Sequence, residues 1–144
     1  MAITQALANS FKKQLLDGDH SFASGSDVYK IALYSSSATL NSATTSYTTG
    51  NEVGASGQYS AGGGALVNGG TSIASGVAIV DFADRSFTGV TLTARGALIY
   101  NTSATVANAA VAALDFGADK TATSGTFTIQ FPAFTSTAAI LRIA

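Results

Sequence analysis

The chain has 144 residues, which fits one domain with a single core and leaves no room for separate catalytic and cofactor domains. Charged residues make up 10% of it, against about 25% in an ordinary soluble domain, and 7 basic against 8 acidic side chains give a net charge of −1. That balance excludes the basic footprint needed to grip a nucleic acid or an anionic membrane; the lack of cysteine and the single histidine exclude disulfides, thiolate nucleophiles and cysteine-based or multi-histidine metal sites.

Small polar residues replace the missing charge, and so weakly charged a surface is poor protection against association, so much of it is expected to be covered by partners, including copies of the same chain. No stretch approaches the roughly 18 uninterrupted apolar residues of a spanning helix. The opening Met1 to Gln5 has no basic leader followed by an apolar core, which predicts synthesis and use in the cytoplasm.

The first predicted element is an amphipathic helix over 4–17, with Leu7, Phe11 and Leu15 at i, i+4 and i+8 and Ala8 and Leu16 beside them. Thr4 is the expected N-cap, Lys12 and Lys13 suit the C-terminal end of the helix dipole, and Gly18 supplies the left-handed stop. The stripe serves either to close a β-domain or to dock a partner, the first reading being preferred. A polar loop over 19–26 follows, then a strand over 27–34 with Tyr29, Ile31 and Leu33 on one face.

Residues 35–76 are rich in Gly, Ser and Thr, with isolated Leu40, Tyr47, Val53, Tyr59, Leu66, Val67 and Ile73. Short strands and an ordered excursion around 66–73, projecting outward, are expected there. Short apolar or alternating runs then predict strands over 77–82, 90–93, 96–100, 110–116, 126–131 and 139–143, separated by turn residues and with Pro132 ending the fifth. The rhythm predicts a single mainly β domain over 1–144, an antiparallel β-sandwich of jelly-roll or immunoglobulin-like type with one N-terminal helix.

Candidate sites are few. Gly62 to Gly64 and Gly69-Gly70 lack the Gly-Lys-Ser/Thr and the strand-loop-helix context of a phosphate loop, and read as turns. Asp81 with Asp84, and Asp115 with Asp119, lack the ligand spacing of a calcium loop and read as strand-end turns. His20, near Asp17 and Asp19, is the one conceivable general base, but without a Gly-x-Ser-x-Gly elbow it reads as a surface histidine. Arg85, Arg95 and Arg142 are candidates for pairing with aspartates within or between subunits. The acceptor pattern Asn101-Thr102-Ser103 has no secretory context. No cofactor or metal and no catalytic residue is expected.

The opening 2–11, the run 29–40, the run 47–63, and the segments 93–101, 113–120 and 125–132 together resemble a family of small virion structural proteins of tailed bacteriophages. The resemblance covers nearly the whole chain and implies a non-enzymatic component of the virion, assembled in the host cytoplasm. Within it, a capsid decoration or cement protein bound to the major capsid protein or other virion proteins is preferred to a tail, collar or fibre protein; a carbohydrate-binding module ranks lower because the chain has no tryptophan. Leu7, Phe11, Leu15, Tyr47, Tyr59 and Leu66 are the expected interface residues, with burial in the subunit's own core as the rival for each.

Overall fold

Two long strands organise the molecule, whose computed structural model describes residues 2–143. In chain order the elements are β1 (Ala6–Leu7), α1 (Asn9–Leu16), β2 (Tyr29–Tyr34), β3 (Gly64–Ala65), β4 (Asn68–Ala74), β5 (Val77–Phe82), β6 (Arg85–Asn101), β7 (Ala109–Ile129) and β8 (Leu141–Ile143). They form two antiparallel sheets, one of order β1-β7-β6-β2-β3 and one of order β4-β5-β8.

The segments expected as strands over 90–93, 96–100 and 110–116 are continuous stretches of β6 and β7, and the one expected over 126–131 is the end of β7, which stops at Ile129, before Pro132 is reached. The residues that read as turns act as bulges instead. Between Ala94↔Lys120 and Gly96↔Asp115 the ladder advances two residues on β6 and five on β7, at Gly117 (φ 81). Smaller shifts fall at Gly89 (φ 64) and Ser124 (φ 45). Such insertions bend a ribbon without ending it.

Residues 96–101 are all buried, as are 109–114, the pattern of a sheet covered on both faces. On one face Tyr29 stacks on Phe22 (centroids 4.6 Å apart) and meets Phe82 of the second sheet (5.7 Å); on the other Tyr47 stacks on Tyr100 (4.8 Å). Farther along β6, Phe87, Val90, Leu92 and Ala94 are buried between exposed neighbours, so this part of the ribbon is covered on one side.

The helix begins at Asn9 and not at residue 4, because Ala6 and Leu7 pair with Ala113 and Ala112 of β7. Thr4 does not cap it: the N-cap is Ala8, extended at φ −65 and ψ 135, without a side-chain cap. The amides of Ala8 and Asn9 donate to the carbonyls of Val111 (2.9 Å) and Ser42 (2.7 Å), so tertiary contacts satisfy the entry to the helix. Gly18 (φ 84) is the left-handed residue just past its end.

Residues 35–63 fold back and do not project. Ala38, Leu40 and Tyr59 are buried, and Tyr47 and Val53 pack against the core. The outward part is the β4–β5 hairpin, turned by Ser75 (φ 51) and Gly76 (φ 77), with Ile73 exposed near its tip.

Candidate functional site

The register of the three-stranded sheet aligns Ile73, Ala78 and Ile143 in one cross-strand row, and Thr71, Val80 and Leu141 in the row two residues away on the same face. The second row joins the core through Leu141 and Val80, whereas the first leaves Ile73 77% and Ile143 57% exposed. Facing this sheet, α1 and the strand before it contribute Leu7, Phe11 and Leu15, and Leu16 stands 90% exposed at the helix end. Between the two walls lies an apolar groove of about 530 Å³. Among the described residues Lys12 and Arg142 are the only charged ones that border it, and Arg142, alternating with Leu141 and Ile143 along β8, sends its side chain from the opposite face of the sheet. Lys12 has no ion-pair partner among the described residues, because Asp17 pairs with Lys13 instead, and the Arg142 guanidinium donates to the Thr137 carbonyl (2.5 Å).

His20 forms part of the groove floor and is buried, not on the surface as the sequence suggested. Its Nε2 donates to Gln14 Oε1 (2.9 Å), and its Nδ1 accepts from the Asn101 amide (3.0 Å), which also donates to Asp27 Oδ2 (2.8 Å). Both ring nitrogens are thereby used by one neutral tautomer. Burial pushes the His20 pKa down, opposed by the charges of Asp27 and Asp19. The network ties the end of α1 to the end of β6, and the Phe11 ring packs edge-on against the imidazole at 4.8 Å. Asn101 is fully buried, so the acceptor pattern over 101–103 has a structural use.

A second polar cluster holds down the 35–63 segment. Glu52 accepts from the hydroxyls of Tyr47 (2.5 Å) and Tyr59 (2.8 Å) and from the Gly62 amide (2.8 Å). Tyr100 donates to the Gly62 carbonyl (2.5 Å) and Tyr34 to the Thr48 carbonyl (2.6 Å). Tyr59 also accepts from the Leu33 amide (2.8 Å), taking the place of a strand neighbour where β3 runs out. Burial, then the Glu52 charge, push the Tyr100 hydroxyl up to about 12, and burial raises Tyr34, Tyr47 and Tyr59 further. With Tyr29 packed between Phe22 and Phe82, four tyrosines are buried and Tyr47 is half-buried, stacked on Tyr100.

Of the residues singled out as interface anchors, Phe11, Tyr59 and Leu66 are buried inside the subunit. Leu7, Leu15 and Tyr47 are half-buried against the core, the first two also lining the groove. The structure adds Leu16, Lys12 and Ile143 as groove-lining residues, with Ile73 in the same cross-strand row as Ile143; the edge of the helix stripe and the apolar C-terminal run carried the signal for the first three, and nothing local did for Ile73. Arg95 pairs with Asp115 within the chain (3.0 Å), holding that carboxyl below its usual range. Arg85 lies over the Phe87 ring (4.8 Å) and has no carboxylate partner among the described residues. Asp84 accepts from the Phe131 amide (2.8 Å), a long-range contact that ties the β5–β6 connection to the chain just past β7 and not the local turn the sequence suggested. Among the described residues no three His, Asp or Glu side chains group to hold a metal ion, and no helix is long and apolar enough to cross a membrane.

Comparison of the chain with models of protein families, with curated proteins and with solved structures finds no match to any of them.

Proposed function

We propose that the chain is a non-enzymatic structural subunit of a tailed-bacteriophage particle, a decoration or cement protein that binds the outer head surface and stabilises the shell. The observation that carries this reading is the pairing of a charge-poor surface with an apolar groove whose lining extends into solvent at Leu16 and Ile143, with exposed Ile73 in the same cross-strand row as Ile143. Exposed apolar surface grouped around a groove is a mark of an interaction site. The sequence resemblance supplies the particle as its setting. Contacts of modest strength, repeated over a closed shell by an oligomeric subunit, add up to a large resistance to internal pressure.

In this reading the two sheets, sharing one core through Tyr29 and Phe82, are the layers of a β-sandwich. The burial of the tyrosines argues against the carbohydrate-binding alternative, which needs aromatic faces open to solvent. Quantitative mass spectrometry of purified virions with electron microscopy tests the proposal. Hundreds of copies over the head are expected; a few dozen or fewer at one vertex or along the tail would move the role to the tail, collar or fibre, and absence from the particle would refute a virion role.

A further inference from the structure

We infer that, independently of any role in a particle, the chain carries a proton-operated latch at His20: one proton taken up there frees the connection over 19–26 and the C-terminal end of α1 from β6, while β6 and β7 stay paired. The orientation of one amide decides this. Asn101 Oδ1 accepts from the Ser103 backbone amide (2.8 Å), a group that can only donate, and Asn101 Nδ2 donates to Asp27 Oδ2 (2.8 Å), a carboxylate that can only accept. Both ends of the amide are thereby assigned by chemistry, and the NH2 is the end that faces His20 Nδ1 at 3.0 Å. Nδ1 is bare, and the ring proton sits on Nε2 against Gln14 Oε1 at 2.9 Å.

A second ring proton has to go to Nδ1, where it would point at the Asn101 NH2, donor against donor. Turning the amide over gives no relief, because it would set Oδ1 against the Asp27 carboxylate and NH2 against the Ser103 N–H. Asn101 is fully buried and held between Tyr29 of β2 and Ala109 of β7, whereas His20 lies in the connection between α1 and β2. The histidine is therefore the partner that leaves. Its departure removes the bond to Gln14 and the edge-on contact with Phe11, both on α1. The start of α1 stays held by the Ala8 and Asn9 amides on the Val111 and Ser42 carbonyls. Because His20, Leu15 and Leu16 line the groove, the latch makes its shape a function of pH.

The charges around the ring set the sign. Asp27 and Asp19 favour the imidazolium; α1 presents the neutral Gln14 and Phe11, with Lys12 bordering the same groove and Lys13 paired with Asp17; β2 brings the Tyr29 hydroxyl, which donates to the Ser21 carbonyl. Burial outweighs the two carboxylates and lowers the His20 pKa from 6.5. Opening is thus independent of pH above 6.5 and grows below it, by at most about tenfold per pH unit for one proton, until the depressed value is reached.

Hydrogen exchange of the full chain, read by mass spectrometry and corrected for intrinsic rates, tests this between about pH 7 and about pH 5. Protection over 12–21 should fall about threefold or more across that window, while 96–101 and 109–114 keep theirs. His20→Gln, which offers an acceptor and a donor but takes up no proton there, should give a flat profile. Nitrogen NMR of the wild-type imidazole should show the Nε2–H tautomer at neutral pH, a readout that needs no variant to fold. An Nδ1–H tautomer, unchanged protection over 12–21, an equal loss over 96–101 and 109–114, or the same pH dependence in His20→Gln would each overturn the latch.

Discussion

Replacing Tyr59 by Phe removes one oxygen atom and tests whether the tyrosine cluster, and not hydrophobic burial alone, orders the segment before β3. The ring is fully buried and packs edge-on against Phe87 at 5.1 Å, a contact the substitution keeps. Two hydrogen bonds at 2.8 Å are lost, from the Leu33 amide and to Glu52. An orphaned buried amide costs about 1–3 kcal/mol, and a bond to a charged group contributes about 1.5–3 kcal/mol. Half-exposed Glu52 keeps Tyr47 and the Gly62 amide and can take up water, so the second loss falls at the low end. The sum is about 2.5–4.5 kcal/mol, or a fall of roughly 5–18 °C in unfolding midpoint at about 2–4 °C per kcal/mol. Urea and thermal unfolding of wild type, Tyr59→Phe, Glu52→Gln and the double variant measure it, with a coupling of about 0.5–3 kcal/mol expected between the two sites. A loss below about 0.5 kcal/mol, or strict additivity, would refute the reasoning.

Other outcomes follow from the same geometry. The His20 pKa is lowered from its ordinary 6.5, so its neutral form stabilises the fold; that contribution is complete above 6.5 and is lost as pH falls from there toward the depressed folded value. Urea midpoints across that window should drop for wild type and stay flatter for His20→Gln, and parallel curves would remove His20 as the titrating group. Phe11→Ala should cost about 3–5 kcal/mol by chemical denaturation, since the ring is 3% exposed and touches Phe22 and His20. Gly63 combines φ +78 with a missing Cβ that would run into the Ile31 carbonyl, so Gly63→Ala should destabilise by more than about 2 kcal/mol; an unchanged midpoint would show that this approach is looser than described.

Legibility in the sequence followed the range of the interactions involved. The strand over 77–82 was visible because its apolar run is bounded by Gly76 and by Ala83-Asp84, and the structure places β5 there. The helix start was misplaced because nothing local says that Ala6 and Leu7 will be drawn onto β7 by Ala113 and Ala112. Gly89, Gly117 and Ser124-Gly125 carry the composition of turns, and only the partner strand decides that they become bulges. His20 looked like a loop residue because its partners Asn101 and Asp27 are brought to it by the fold. Tyrosines in a polar stretch resemble surface anchors until a single carboxylate, Glu52, gathers two of their hydroxyls. As for the groove, the stripe Leu7, Phe11, Leu15 was legible as one wall, while the other depends on the register that aligns Ile73, Ala78 and Ile143.

The pairing of β1 with β7 and of β8 with β5 sets an order of events in folding. The β6–β7 hairpin closes only the short 102–108 connection and can zip early, whereas joining Ala6 to Ala113 must close most of the chain into a loop, and β8 is the last strand in the sequence to reach its sheet. Helix α1, which follows β1, and β8 are opposite walls of the groove. The surface on which assembly would depend is therefore the last part of the molecule to exist. Until both ends of the chain have docked, the groove has at most one of its two walls, so its apolar lining is a property of the finished fold and of no partly folded form.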